Sequence, residues 1–442
     1  MEIAAHPQRG TLHGRVTLMA GLAFGSNGLI LGILSFALLG LKTAWGLTPA
    51  QASALTMASG AGQLLGGVLM GHMTDAVGRR LGYGVTVAVS SLATGAAALA
   101  PSLGWLVPVI FFAGLGFGGV APVVTSLVSE FAPRQQRGAL LGWTQVIWIC
   151  GWLTAGAGGV LFAHNLGWRG VFAVGILPLA LAVLGPRLVP ESPRFLLAHG
   201  RRREAEDLAG SLRARFGAAP EMAGQEQAAR ASILAHLREL WSPRFRRRSA
   251  VLWSVWFVMI GVYNGPIVWL PALMAAAGFA RAAEASFLVA LAMLPTTIAS
   301  TLLLDRVGRK PVMIVALAMA GAGAAGVAAA HTELVFILGG AALAGGVLAA
   351  WPVILSYAAE LYPTRIRATA TGWASAAGRT AAILAPAMLG LLMATWTAGR
   401  GVALSVCAGA LGAAALIVFF FGEETAGQSL EEIAARPLER RA

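Results

Sequence analysis

The chain has 442 residues, 57% hydrophobic and only 12% charged, with a mean hydropathy of +0.73. So little polar surface cannot cover an ordinary globular domain, which excludes a soluble enzyme or regulator and marks a membrane protein. The formal charge of +13 invites a nucleic-acid reading, but no soluble domain with a basic face and aromatic platforms accompanies it.

Twelve apolar stretches are expected to span the membrane as helices, at 16–41, 51–74, 83–100, 104–130, 138–163, 168–188, 249–275, 285–304, 311–330, 333–358, 366–393 and 400–421. They are about as long as a hydrocarbon layer requires of an α-helix, and they lack the period-2 alternation of a membrane β-barrel. The polar start, Met1 to Gly14, reads as no cleavable signal, because the first apolar segment is long enough to remain as a span. Cys150 and Cys407 fall inside spans and read as plain buried thiols without a disulfide. With a cytoplasmic N-terminus, Lys42, Arg169, Arg281 and Arg400 fall in outside loops and Arg379 inside a helix, leaving 27 of the 32 basic residues to face the cytoplasm. That asymmetry is the positive-inside rule.

One long polar stretch, Val189 to Arg248, separates the sixth span from the seventh. In it, "SPRFLLAHGRRREAEDLAGSLRARF" predicts a helix with Ser192 as N-cap and Pro193 in the first turn, and "EMAGQEQAARASILAHLRELW" predicts a second. The expected organisation is a six-helix half over 1–188, a cytoplasmic linker over 189–248, a second six-helix half over 249–422 and a cytoplasmic tail over 423–442.

The two halves repeat each other. Gly71-His-Met-Thr-Asp75-Ala-Val-Gly78-Arg79-Arg80 returns as Asp305-Arg306-Val-Gly308-Arg309-Lys310, and Asp75 to Asp305 and Arg79 to Arg309 share an offset of 230. The same offset links Glu130 to Glu360, Pro133 to Pro363, Arg137 to Arg367, Gly142 to Gly372 and Trp143 to Trp373. One offset across two separated motifs marks an internal duplication, with halves related about an axis along the membrane normal, as in parallel-repeat transporters.

Those motifs resemble the loop signatures of the major facilitator superfamily, in the branch of sugar porters, aromatic-acid and metabolite symporters, niacin transporters and organic-ion transporters. "PESPRFL" (Pro190 to Leu196) resembles the signature after the sixth helix and "EETAGQSLEEI" (Glu423 to Ile433) that after the twelfth. "LSFALLGLKTAWGLTPAQ" (Leu34 to Gln51) is similar to the first-loop region of the aromatic-acid symporters. The resemblance implies twelve helices in two pseudo-symmetric halves, an all-α membrane fold, and transport by alternating access. It also implies proton coupling, yet the first span reads "FGSNGLILG" (Phe24 to Gly32), with Ser26 and Asn27 where those relatives usually carry an acidic residue.

The charged motifs stand where helices meet the cytoplasm. A carboxylate there accepts hydrogen bonds from a nearby arginine or from helix N-terminal amides. By resemblance, Asp75, Arg79, Glu130, Arg137, Asp305, Arg309, Glu360 and Arg367 form gating clusters that hold the inside closed and break when it opens. As plain structure they are topology anchors and static bridges.

Arg379 is different. It lies inside the eleventh span, where an arginine facing lipid costs about 2.5–3.5 kcal/mol on insertion scales, and its repeat mate, 230 residues earlier, is the apolar Ile149. A guanidinium unique to one half reads as a fork for a carboxylate; a structural pairing with backbone carbonyls is the bland alternative. Gln145, Trp148 and Trp152 share a face of the fifth span, Trp256 and Tyr263 a face of the seventh beside Asn264, and "NGP" is expected to break that helix. Asn27, Trp351 and Tyr357 complete the candidate substrate set, against the bland reading that tryptophans serve as packing and interface anchors.

The sequence thus predicts a secondary transporter of a small organic anion, an aromatic or other monocarboxylate, in a bacterial-type inner membrane with both termini cytoplasmic. The alternative cargo is a neutral sugar or polyol, or an organic cation or drug. The lipid bilayer, the small-molecule substrate and, by family, protons are the expected partners of a monomer. No catalytic group, cofactor, metal or nucleic acid is expected.

Overall fold

The computed structural model describes residues 11–131, 137–162, 166–207, 210, 233–362, 364–395 and 399–426. The six helices of the first half are Thr11–Trp45, Pro49–Val77, Arg79–Ala97, Leu103–Phe131, Arg137–Phe162 and Gly167–Leu188, the last tightened by a 3-10 turn at Val174–Ile176. In the second half the seventh span is broken into Arg246–Val262, a π turn at Tyr263–Ile267 and Leu270–Ala276, followed by Ala282–Val307, Arg309–Ala328, Glu333–Glu360, Thr364–Thr395 and Gly399–Phe421. The break falls where "NGP" predicts it. Pro266 brings no amide to the ladder, and Gly265 takes φ −82°, ψ −106°.

Eleven of these segments are long and apolar enough to cross a membrane. The third, Arg79–Ala97, is more polar because of Thr86, Ser90, Ser91 and Thr94, all buried. Three of its hydroxyls return to the helix itself: Thr86 to Gly82 O at 2.8 Å, Ser90 to Thr86 O at 3.1 Å and Thr94 to Ser90 O at 2.7 Å. A hydroxyl bonded to its own helix loses most of its need for water, so the helix completes a twelve-span fold.

Ends are set locally. Thr48 and Gln51 cap the second helix reciprocally, Thr48 N–H donating to Gln51 Oε1 at 3.0 Å and Gln51 N–H to Thr48 Oγ1 at 3.3 Å, with Pro49 in the first turn. In the linker, Ser192 caps Pro193–Ala198 as expected, accepting from Phe195 N at 3.2 Å. The long helix predicted there is interrupted: Gly200 adopts φ +74°, Arg201 N–H closes back on Leu196 O at 2.9 Å, and the helix resumes over 202–207. Of the second predicted linker helix, residues 221–232 lie outside the described residues and Ile233–Leu240 is helical.

Two compact units emerge, and they do not follow the repeat. The first holds Met1–Leu31, Gly62–Trp152 and Phe172–Gln225; the second holds Gly32–Ala61, Leu153–Val171 and Glu226–Ala442. The core of the first gathers Val16, Met19, Tyr83, Val87, Val124, Leu127 and Ala182 from four spans, with Tyr83 Oη donating to Met19 O at 3.0 Å.

In the second unit, the ends of the first-half spans farthest from the linker pack against the second half. Ser35 Oγ donates to Val268 O at 2.6 Å, Trp269 Nε1 to Thr56 Oγ1 at 3.4 Å, and a Cβ on Gly156 would stand 2.8 Å from the Phe287 ring. Within this unit, side chains from both halves of the repeat therefore pack together.

The two cysteines correct the sequence reading. Cys150 is exposed and Cys407 half-buried, both unbridged. In a spanning helix an apolar thiol satisfies lipid as well as core, so position in a span does not imply burial.

Candidate functional site

In the first unit a glycine seam positions the candidate face of the fifth span. A Cβ on Gly28 would overlap the Trp148 carbonyl, and one on Gly151 would overlap that of Gly25, so the first and fifth helices touch backbone to backbone. Beside this seam Trp148 and Trp152 stack, with centroids 5.9 Å apart and planes 25° from parallel. Both are buried, as is Gln145. Asn27, 1% exposed, donates its amide N–H to Phe117 O at 3.0 Å, and its Oδ1 is buried without a hydrogen-bond partner among the described residues. Asn27 thus adjoins the seam that carries Trp148 and Trp152, and Gln145 lies buried one turn earlier on the fifth helix.

In the second unit the eleventh helix shows two faces. Leu384, Met388 and Leu391 form an exposed apolar stripe, 53%, 48% and 63% accessible, which suits lipid. On the opposite face a Cβ on Gly60 would come within 2.8 Å of Ala382 O and 3.3 Å of Ile383 Cγ1. Arg379 lies three and four residues before that pair, on the same face and about 145° round the helix from the stripe at 3.6 residues per turn. Its side chain is half-buried.

The preceding residue explains the aromatic neighbours. A Cβ on Gly378 would stand 2.6 Å from Trp256 Cδ1 and 2.5 Å from Ile260 Cδ1, so the seventh helix presses on the backbone next to Arg379. Trp256, 4% exposed, meets Trp351 of the tenth helix edge to face at 6.4 Å. Tyr263 and Asn264 are buried in the π turn, and the Asn264 amide donates to Ile260 O at 3.0 Å.

Tyr357 belongs elsewhere. Its hydroxyl donates to Glu423 O at 2.8 Å and accepts from Glu423 N–H at 2.7 Å, at the linker end of the tenth helix. Six residues separate it from Trp351, about 9 Å of helical rise, and both its donor and an acceptor site are engaged by backbone. The geometry groups Tyr357 with the motif cluster and not with the substrate set.

That cluster has a plan the sequence did not disclose. In each half a glycine at positive φ, Gly78 at +100° and Gly308 at +112°, turns the chain into the next helix. A glutamate then caps that helix. Glu191 Oε1 accepts from Arg79 N at 2.8 Å and Arg80 N at 3.4 Å; Glu424 accepts from Arg309 N and Lys310 N, each at 3.0 Å. The glycines are required twice over, because a Cβ on Gly308 would lie 2.6 Å from Glu424 Oε2 and one on Gly78 would strike Glu191. Asp305, read from sequence as a candidate for the helix amides, is 75% exposed and accepts only from Arg309 Nη2 at 2.9 Å among the contacts found.

Arg309 Nη2 also reaches Glu360 Oε1 at 2.9 Å, and Glu360 Oε2 accepts from Thr425 Oγ1 at 2.5 Å. Beside this, Arg248, 4% exposed, grips Glu423 with two bonds, Nε to Oε1 at 2.9 Å and Nη2 to Oε2 at 2.8 Å, and donates Nη1 to Leu361 O at 3.2 Å. Glu191, Glu423, Glu424, Thr425 and Arg248 are the residues the sequence reading left out; the glutamates stood inside the two quoted signatures. Asp75, Glu130, Arg137 and Arg367 have side chains outside the described residues, and Arg79 is half-buried beside its cap. No group of three His, Cys, Asp or Glu side chains fit for a metal occurs among the described residues.

Comparison with known proteins agrees with this architecture. Residues 16–436 match the family described as "Sugar (and other) transporter". The niacin transporter NiaP of Acinetobacter baylyi is 34% identical over 433 residues, covering 96% of this chain and 97% of that one. A putative niacin/nicotinamide transporter NiaP of Bacillus subtilis is 28% identical, covering 93% and 96%. Among solved structures, the xylose transporter XylE from E. coli in a partially occluded inward-open conformation superposes with a TM-score of 0.76 at 21% identity, covering 95% of this chain and 99% of that one. At that identity the likeness speaks for the fold. The chain is a multi-pass membrane transporter and belongs to the sugar (and other) transporter family of the major facilitator superfamily.

Proposed function

We propose that this protein carries a small aromatic monocarboxylate, of the pyridine-carboxylate kind, across a bacterial inner membrane by alternating access. The observation that carries the reading is Arg379, a guanidinium halfway along the eleventh helix on the face away from the lipid stripe. A planar fork there suits a carboxylate bound through two parallel hydrogen bonds. Trp256, packed against the glycine next to Arg379, and Trp351, which meets it, are suited to a flat ring; in the other unit the stacked Trp148 and Trp152 form an aromatic face of their own. The 34% identity to a protein named as a niacin transporter points to the same chemistry.

A neutral sugar or polyol, the other cargo the family suggests, needs several free amides. Here the amide donors of Asn27 and Asn264 already engage helix carbonyls, which leaves chiefly Gln145. The gating reading assigns the linker-end clusters to the inward gate: the Arg309–Glu360–Thr425 chain and its first-half counterpart around Arg79 and Glu130 break and reform with each cycle. Both termini face the cytoplasm in this reading.

The test is a thermal-shift screen of the purified protein in detergent against matched ligands. Nicotinate and benzoate should raise the melting temperature, whereas nicotinamide, the corresponding alcohol and the corresponding amine should not. Stabilisation by sugars or amines with none by carboxylates would sink the proposal.

A further inference from the structure

The linker end of the seventh helix carries charge that the motif cluster and the candidate substrate site leave unused. Arg244, Arg246, Arg247 and Arg248 stand together where the linker enters the span. Arg248 is gripped by Glu423, and Arg244 lies over the Phe245 ring at 5.4 Å. Arg246 is exposed and makes no hydrogen bond or ion pair among the described residues. Arg247 donates Nε to Phe421 O and Nη2 to Phe420 O, both at 3.1 Å, so it closes the last turn of the twelfth helix and meets no carboxylate among the described residues. Glu360, Glu423 and Glu424 at this end are already engaged by Arg309, Arg248 and the ninth-helix amides. Two positive charges are left without a countercharge.

The side chains around them mark a lipid boundary. Arg246, Ala250, Trp253 and Phe257 share one face of the seventh helix, and Phe257 is exposed. Trp253 stacks on Trp373 of the eleventh helix at 6.2 Å with planes 8° apart, and Trp241 of the linker meets Trp253 edge to face at 5.3 Å. Trp373 extends the exposed stripe of Leu384, Met388 and Leu391, about three turns nearer the linker than Leu384. Tryptophans gather where hydrocarbon gives way to headgroups. Arg246 lies about 10 Å of rise beyond Trp253 toward the linker, which sets its guanidinium at headgroup level. Beside Arg247, Phe420 and Phe421 are exposed as well.

We propose that Arg246 and Arg247 bind the headgroup phosphate of an anionic phospholipid at the linker end of the seventh and twelfth helices, with Trp253 and Phe421 against its acyl chains. Adjacent in the first turn, with Cα atoms about 3.8 Å apart, both long side chains reach one phosphate group. A zwitterionic lipid brings its own cation to the phosphate and gains little from two more. A lipid of net negative charge gains about fivefold in affinity from each arginine. Because Arg247 is fastened to the last carbonyls of the twelfth helix, the bound headgroup ties that helix to the start of the seventh and stabilises the second unit.

The experiment is native mass spectrometry of the full chain in detergent, titrated with dioleoylphosphatidylglycerol or dioleoylphosphatidylcholine, alongside melting temperatures with each lipid and with inorganic phosphate. The wild type should bind the phosphatidylglycerol at least about tenfold more tightly than the phosphatidylcholine and melt higher with it; inorganic phosphate should neither displace the lipid nor raise the melting temperature. Arg246→Gln, at an exposed side chain, should bind phosphatidylglycerol about fivefold more weakly, and Arg246→Lys should keep most of the affinity. Arg281→Gln, an exposed arginine at the opposite end of the second unit, should bind like the wild type. Equal affinity for the two lipids, or phosphatidylglycerol binding unchanged in Arg246→Gln, would overturn the site. A loss in Arg281→Gln as large as in Arg246→Gln would reduce it to overall charge. Inorganic phosphate that displaces the lipid and stabilises the protein equally would assign the arginines to a free anion and overturn the lipid claim.

Discussion

Removing the Glu424 carboxylate tests the capping plan of the motif ends. Glu424 Oε1 accepts from Arg309 N at 3.0 Å, Thr425 N at 2.9 Å and Ala426 N at 2.9 Å, and Oε2 accepts from Lys310 N at 3.0 Å. Two of these amides open the ninth helix and have no intrahelical partner. Each bond to a charged acceptor contributes about 1–1.5 kcal/mol net, and the helix dipole adds about 0.5 kcal/mol, so Glu424→Ala should cost about 2.5–3.5 kcal/mol. Glu424→Gln keeps the Oε1 acceptor and loses the charge and the bond to Lys310; it should cost about 1.5–2 kcal/mol. Glu191→Ala, with one good and one long bond to the third helix, should fall between them. Thermal unfolding in detergent, followed by tryptophan fluorescence, should therefore rank wild type above Glu424→Gln, then Glu191→Ala, then Glu424→Ala. If Glu424→Ala and Glu424→Gln melt within about 1 °C of the wild type, the carboxylate is not a cap and the shared plan of the two halves is wrong.

The seam between the first and fifth helices predicts that Gly28→Ala prevents folding, seen as loss of the monodisperse peak in size-exclusion chromatography, because the new Cβ would overlap the Trp148 carbonyl. Gly409→Ala and Gly412→Ala, with open space at the Cβ, should elute and melt like the wild type. Arg248→Ala should cost about 3–5 kcal/mol, because Glu423 is left charged without its partner, and the Arg248→Ala, Glu423→Ala double variant should cost less than the sum of the singles in a thermal double-mutant cycle. Burial pushes the Tyr362 hydroxyl up to about 12, beside Ser249 Oγ at 3.0 Å. An acid held neutral in the folded state retains its proton above pH 10 while the unfolded chain gives it up, so stability should fall as pH rises from about 10 to 12. Tyr362→Phe should flatten that slope in melts taken across the range.

Much of the architecture was legible because hydrocarbon permits so few solutions. A chain with twelve apolar stretches has to form helices, and a duplicated gene leaves a constant offset, which is why Asp75 with Asp305 and Glu130 with Glu360 stood out. The caps escaped for the same reason. Glu191 and Glu424 do the same work in the two halves, but they are 233 residues apart, three more than the repeat, so no fixed-offset comparison pairs them. Their role follows from a tertiary meeting of a loop with a helix start over 100 residues away in sequence.

Other features depend on packing that periodicity does not encode. Tyr357 shares the tenth helix with Trp351, yet its hydroxyl is claimed by the backbone of Glu423. The abundance of glycine read as composition; only the contacts single out Gly28, Gly151 and Gly378 as places where a neighbouring helix leaves no room. The compact units likewise cut across the repeat, since the far ends of the first-half helices pack with the second half through Ser35, Thr56 and Gly156. Arg379 was legible for the opposite reason: a charge at mid-depth that the duplication does not explain calls for a ligand or a dipole to face.

The measurement that bears most directly on the central claim is nicotinate transport by Arg379 variants in proteoliposomes preloaded with nicotinate. Arg379→Ala should lower the rate about a hundredfold and Arg379→Lys, which keeps the charge and loses the fork, about tenfold. Transport of nicotinate undiminished in both variants, in protein that melts like the wild type, would contradict the account.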